Sequence, residues 1–143
     1  SQRNKMNYWL MKSEPETWSW KQQVKAGVKG EGWDGVRNYQ ASNNMKKMEK
    51  GDLCFFYHSV KERDIVGIVK VVKKYHPDPT DKSKRFGMVS VAAVKALKNK
   101  VNLSQIKEHP KLNHLALVKQ SRLSVMPIDK KSWTIICNLG GIK

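Results

Sequence analysis

The alternation of apolar and polar positions divides this chain into short buried runs, several of which end in polar side chains. Asn7-Tyr8-Trp9-Leu10-Met11 is aromatic and apolar and predicts a buried first strand. It gives way to Lys12-Ser13-Glu14-Pro15, where the proline lacks an N–H and biases Glu14 toward an extended backbone. Ser19 and Gln22 have the spacing of a capping box, predicting a helix to about Ala26 closed by Gly27. Trp18 and Trp20 flank its start, where packing the helix onto the core is their default role. Gly27 to Gly32 reads as a flexible approach to Trp33. Ala41, Met45 and Met48 recur at helical spacing, with Lys46, Lys47 and Lys50 turned outward.

Leu53 to Ser59 predicts a second buried strand with a polar end, Tyr57-His58-Ser59. Residues 60–64 form a hairpin connection, and Ile65 to Val72 returns as a strand in which Gly67 marks a bulge or a close backbone approach. His76 to Thr80 is a rigid proline-set loop and Asp81 to Arg85 a basic one. Phe86 to Leu97 reads as strand rather than helix because Val89, Val91 and Val94 favour a pleated sheet. Asn102 opens a short helix that ends before Pro110, residues 111–119 add a helical turn or two, and Leu123 to Met126 is a final strand. Asp129 caps a last helix in which Trp133, Ile136 and Cys137 share a face, ended by Gly140-Gly141. About five strands among short helices predict an α+β fold on a curled sheet or small barrel, too irregular for a doubly wound parallel sheet. Residues 1–5 are set apart as a tail or tag remnant, leaving 6–143 as a single domain.

Trp33-Asp34-Gly35-Val36-Arg37-Asn38-Tyr39-Gln40-Ala41 gathers two aromatics, a guanidinium, a carboxylate and two amides around a glycine, poor core material but good pocket material: rings for a planar ligand, donors and acceptors to choose among ligands. The alternative is an ordinary loop with one buried Trp and an exposed Arg. Three segments end a buried element in mixed aromatic and polar groups: Trp9 to Glu14, Trp33 to Gln40, and Tyr57 to Ser59. If they converge they form an aromatic slot of the kind that holds one unstacked base. Core packing is the default for Trp9 and Tyr57, ligand contact for Trp33. Arg37 either meets ligand or pairs with Asp34 or Glu14.

Charge points the same way. The 143 residues carry 28 Lys and Arg against 12 Asp and Glu, a net +16, which predicts a polyanionic partner through counterion release. A lysine-rich proteome or an anionic membrane are the alternatives, the latter weakened because no amphipathic basic helix gathers the charge. Cys54 and Cys137 sit among apolar neighbours as buried thiols rather than a disulfide or zinc site. No apolar run is long enough to span a bilayer and no signal peptide precedes Met6, so a reducing, intracellular setting is expected.

Catalytic motifs are missing. Ser59 lacks a nucleophile elbow, Cys54 stands mid-strand where its thiol pKa should rise, and the scarce carboxylates leave distant pairs such as Glu14 and Asp34. No glycine-rich phosphate loop or metal cluster appears. The expectation is a non-enzymatic protein without cofactor, the rival being a nucleic-acid-directed enzyme using His58 and a carboxylate.

Tyr8-Trp9-Leu10-Met11-Lys12-Ser13-Glu14-Pro15, Trp33 to Ala41, Gly51-Asp52 with Phe56 to Ser59, Gly67-Ile68-Val69, Tyr75 to Pro79, and Arg122-Leu123-Ser124-Val125 together resemble the EVE domain family over Met6 to Leu139. The likeness is to the bacterial EVE proteins and the eukaryotic thymocyte nuclear protein group. It implies a PUA-like fold, a small, mostly antiparallel β-barrel of about five or six strands with short helices, related to YTH and ASCH domains. It also implies nucleic-acid binding, with relatives reading methylated bases in an aromatic pocket. Carried over by motif, Lys12, Ser13 and Glu14 form one wall, Trp33, Arg37, Asn38 and Tyr39 another, and Tyr57, His58 and Ser59 a third, with Arg122 and Ser124 nearby. The resulting expectation is a monomeric reader of DNA or RNA in which a modified base is flipped into the pocket. Trp33 stacks on it, Asn38, Ser13 or Ser59 contacts its edge, and Lys46, Lys47 and Lys12 hold phosphate. An RNA-binding accessory module without preference for modification is the blander alternative. The setting is cytoplasmic, or nuclear in a eukaryote.

Overall fold

The computed structural model describes residues 6–142; the tail or tag remnant expected over 1–5 lies outside them. Next to one edge of the sheet lies β1 (Tyr8–Ser13), hydrogen-bonded in parallel to β3 (Leu53–His58) and antiparallel to the edge strand β6 (Val125–Ile128). β3 continues antiparallel into β4 (Asp64–Pro77), β4 into β5 (Gly87–Asn102), and β5 into the two-residue β2 (Glu31–Gly32), giving the order β2-β5-β4-β3-β1-β6. The fold is α+β, as expected, and its strands are mostly antiparallel, but the expected barrel is not formed. The sheet is open because its edge strands cannot pair along a useful length: β2 offers two residues, and β6 carries Pro127, which has no N–H to donate. Curvature comes instead from the long β4–β5 ladder, whose register shifts between Ile65 and Gly67, Ile68 and Val69, Val71 and Lys73, and Lys73 and His76.

Helices cover the sheet: α1 (Trp20–Lys25), α2 (Tyr39–Lys46), α3 (Leu103–Glu108), α4 (Ala116–Lys119) and α5 (Lys130–Leu139). The Ser19–Gln22 capping box forms, and Asn102 with Gln105 builds a second one on α3. Asp129 caps α5, and Trp133 on its buried face stacks on Phe55 at 3.8 Å and on Tyr8 at 4.5 Å. Gly67 permits the close approach its position suggested: a Cβ there would stand 2.5 Å from the Trp20 ring, which packs on that bare backbone and meets Phe56 edge-on at 5.3 Å.

Several boundaries move. β4 runs to Pro77 rather than Val72, and β5 to Asn102 rather than Leu97, because the ladder persists where exposed lysines such as Lys73, Lys74 and Lys98 hide its apolar pattern. α2 begins two residues earlier than the apolar spacing indicated, since Asn38 accepts from the Ala41 N–H as N-cap. The final strand is Val125–Ile128 rather than Leu123–Met126, and β2 was not foreseen within the glycine-rich approach.

Candidate functional site

The parallel β1–β3 pairing places Ser13 level with His58, so the polar ends of two buried strands lie side by side. The Ser59 N–H donates to the Ser13 carbonyl at 2.9 Å. Past Ser13 the chain turns into α1 and delivers Trp18. The Ser13 hydroxyl donates to the Trp18 carbonyl at 2.5 Å, and the Trp18 indole N–H donates to Gln23 Oε1 at 2.8 Å. Gln23 is fully buried and anchored in turn on the Val91 carbonyl at 3.0 Å. Trp18, half-buried, therefore has a fixed ring orientation.

Opposite stands Trp33, whose N–H extends the β2–β5 ladder by donating to Val89 O at 2.8 Å. It is only 7% exposed and meets Phe56 edge-on at 5.4 Å. Its indole N–H has no hydrogen-bond partner among the described residues yet is not sealed from solvent, so it can donate to a ligand. Between Trp18 and Trp33 opens a cleft of about 490 Å³, lined also by Lys12, Ser13, Glu14 and Asp34. Glu14 and Asp34 are exposed at its mouth without an ion pair among the described residues.

A second cleft, about 630 Å³, shares Lys12 and Glu14 with the first and takes in Tyr57, Ser59, Arg122 and Ser124. The Lys12 amine, half-buried at this boundary, donates to the Ser121 carbonyl at 2.9 Å and lies 5.8 Å from the Tyr57 ring centre; burial lowers its pKa from the ordinary lysine value. The residues expected to surround a single pocket are thus divided between two.

Others stand apart. Arg37 pairs with neither Asp34 nor Glu14: its Nη1 donates to Asp78 Oδ2 at 3.0 Å, its Nη2 to Thr80 Oγ1 at 2.9 Å, and it lies 5.8 Å from the Phe86 ring centre. The distant Asp78, close only in the fold, outcompetes the sequence neighbours because it is buried and preset. Burial opposes its ionisation, yet hydrogen bonds from the Thr80 hydroxyl, the Gly35 and Thr80 N–H groups and Arg37 outweigh that and hold its carboxyl below the usual range. Asn38 has its side-chain oxygen engaged as a helix cap, and Tyr39, exposed, leans on Phe86 at 4.8 Å. Lys46 lies 5.6 Å from the Tyr75 ring centre and Lys47 is exposed on the same helix end.

His58 is buried with both ring nitrogens occupied. Nε2 accepts from the Trp20 N–H at 3.1 Å, which puts the proton on Nδ1, facing Glu62 Oε1 at 3.2 Å. The Cys54 thiol is pushed up by complete burial and by the negative Asp52, as its apolar setting suggested. Among the described residues no three His, Cys, Asp or Glu side chains are grouped to hold a metal ion. No helix among them is long and apolar enough to cross a membrane. The sequence reading missed Trp18 as a cleft wall, Asp34 at its mouth and Asp78 as the organiser of the Trp33–Arg37 segment; only the glycine-flanked polarity around Asp34 hinted at any of them.

Fold and site define a small α+β domain with an open six-stranded sheet and an aromatic cleft where the strands end. The EVE domain model matches residues 7–139, and the chain belongs to the EVE domain family. An Agrobacterium tumefaciens protein solved by X-ray crystallography is similar at TM-score 0.93 and 46% identity, over 95% of this chain and 94% of that one. Mouse thymocyte nuclear protein 1 is 35% identical over 96% of this chain and 75% of its own length. The crystal structure of human THYN1 in complex with 5-methylcytosine-containing DNA matches at TM-score 0.87 and 30% identity, over 96% of this chain and 99% of that one. A Zygosaccharomyces rouxii YTH domain shares the fold at TM-score 0.57 and 16% identity, over 98% of this chain and 90% of that one.

Proposed function

We propose that this protein binds nucleic acid and takes one modified base, extruded from its stack, into the cleft between Trp18 and Trp33. The observation that carries this reading is the cleft itself: two indoles held by buried partners, with a Trp33 indole N–H and carboxylates at the mouth that have no partner among the described residues. Aromatic faces supply about 1–3 kcal/mol per stacked base. As carboxylates, Glu14 and Asp34 can only accept hydrogen bonds, so they favour a base with an exocyclic amine, as cytosine and adenine have. A methyl group on such a base is neutral and is recognised by fit against the rings. Human THYN1, solved with methylated DNA, supports the same class of ligand here. The +16 charge supplies the sequence-independent attraction to phosphate.

We read the chain as a monomeric binding module rather than a catalyst, acting in the cytoplasm or the nucleus. His58, the side chain an enzyme would use, is committed at both nitrogens to Trp20 and Glu62. The test is binding of single-stranded and duplex oligonucleotides carrying 5-methylcytosine, N6-methyladenine or plain bases, at two salt concentrations. Preference for a modified base, lost in Trp18→Ala while the thermal midpoint holds, is the expected result. Equal affinity for every base, unchanged in Trp18→Ala, overturns the reading, and strand turnover abolished by His58→Ala replaces it with the enzyme.

A further inference from the structure

The second cleft has a different chemical character from the first. Four cations line it, Lys12, Arg63, Lys107 and Arg122, against one carboxylate, Glu14, with the hydroxyls of Ser59 and Ser124 between them. Arg63 comes from the β3–β4 turn, Lys107 from α3 and Arg122 from the approach to β6, so three separate elements aim positive charge at one groove. Arg63, Lys107 and Arg122 are exposed and make no ion pair among the described residues. Of the nearby carboxylates, Glu62 faces His58 and Lys100, Glu16 pairs with Lys61, and Asp64, whose charge also acts on Tyr57, lies outside the lining, so the cations remain in excess. A groove of like charges left uncompensated concentrates positive potential and attracts an anion.

Resting on the function proposed above, we infer that this second cleft seats the phosphodiester and sugar next to the base held in the first. Lys12 and Glu14 line both clefts, so the two adjoin there, and a nucleic-acid strand leaving the first cleft over Lys12 reaches the second. Lys12 is the hinge of that path. Its amine lies at the boundary, half-buried, and a phosphate beside it favours the charged ammonium that burial disfavours. Arg63 and Arg122 offer planar forks suited to phosphate oxygens, and Lys107 a point charge. The hydroxyls of Ser59 and Ser124 suit a sugar or a phosphate oxygen. Tyr57, whose ring Lys12 overlies, forms the floor.

The test compares wild type with the Arg63→Ala/Lys107→Ala double variant, whose two side chains are exposed, so that folding is checked simply by its thermal midpoint. Three probes are used: 5-methyl-2′-deoxycytidine alone, a trinucleotide with that base in the middle, and the same trinucleotide with an uncharged methylphosphonate on either side. The expected result is a drop of tenfold or more in trinucleotide affinity at low salt, with the nucleoside as internal reference. The salt slope becomes shallower by about 0.7 for each phosphate that the variant no longer neutralises. One of the two methylphosphonates reproduces the drop in wild type and adds nothing in the variant. Equal trinucleotide affinity and salt slope in both proteins overturns the inference, as does a methylphosphonate effect fully additive with the substitutions. If wild type ignores the nucleoside but the double variant still weakens trinucleotide binding, the phosphate cleft stands and the base-reading proposal falls. If wild type binds neither probe, both fall.

Discussion

Arg37 and Asp78, far apart in the chain, are joined by a 3.0 Å ion pair, and the carboxylate oxygen that receives the guanidinium also accepts the Gly35 N–H at 2.8 Å. Gly35 has φ +81°, a left-handed conformation that favours glycine, so Asp78 fixes the turn directly after Trp33. Asp78→Ala removes an acceptor used by four donors and is expected to cost about 1–3 kcal/mol. Arg37→Ala should cost less than about 1 kcal/mol, because the guanidinium side chain is 39% exposed and solvent screens the pair. Urea unfolding of both variants and the double variant decides it. Asp78→Ala as stable as wild type refutes the assignment.

The same carboxylate sets an acid limit. A carboxyl held below its usual range stabilises fully above the ordinary value and loses that contribution as pH falls through its lowered folded value. The stability gap between wild type and Asp78→Asn is therefore expected to be full at pH 7 and to shrink below about pH 4. Asp81 marks the neighbouring basic loop: the Ser83 hydroxyl, together with the N–H groups of Phe86, Ser83 and Arg85, brings its carboxyl down to about 2 against a smaller opposing effect of burial. An NMR titration following both carboxyl carbons should find Asp81 still ionised at pH 3. A midpoint near 4 for Asp81 means that the loop is not held as described.

What could be read along the chain was whatever local spacing determines. The capping box of α1, the start of α3 at Asn102, the shared face of Trp133, Ile136 and Cys137, and the polar ends of β1 and β3 all follow from neighbours within a turn or a strand. Where the physics is non-local the reading failed. Trp18 lines the cleft because Gln23 is anchored on Val91, a residue of β5. Arg37 chose Asp78 over nearer carboxylates because folding buries Asp78 with its other donors already in place. The second cleft escaped notice because Arg63 and Lys107 enter it from elements with no aromatic signal at all. Sheet closure likewise depends on the lengths of edge strands, which periodicity does not report.

Asn38 separates two roles that its position in the polar stretch left together. As N-cap of α2 its side-chain oxygen accepts from the Ala41 N–H at 2.9 Å. Asn38→Ala is expected to lose about 0.5–2 kcal/mol, while Asn38→Ser keeps a capping oxygen and most of the stability. If the residue acts only as a cap, Asn38→Ser also keeps the preference for a modified base. Thermal unfolding and oligonucleotide binding on the same samples separate the roles: a stable Asn38→Ser protein that no longer discriminates bases assigns the amide to the ligand.

Gly67 and Trp20 govern the back of the aromatic cleft. Trp20 lies on the bare Gly67 backbone and meets Phe56 edge-on, and Phe56 meets Trp33 in the same way. The Trp20 N–H also holds His58, so one helix start ties together the strand end, the ring cluster and, two residues earlier, Trp18. In Gly67→Ala the new methyl carbon would stand 2.5–2.6 Å from three atoms of an indole that also packs against Phe56, and a rigid ring cannot yield as a flexible side-chain tip would. The expected cost is about 1–3 kcal/mol from overpacking, together with weaker base binding as Trp18 is displaced. Trp20→Phe alone weakens the packing, but its smaller ring leaves room for the added methyl. The double variant should therefore be less destabilised than the sum of the single ones by about 0.5 kcal/mol or more, the coupling expected of residues in contact. Strict additivity in denaturant unfolding would show that the two residues do not touch in solution.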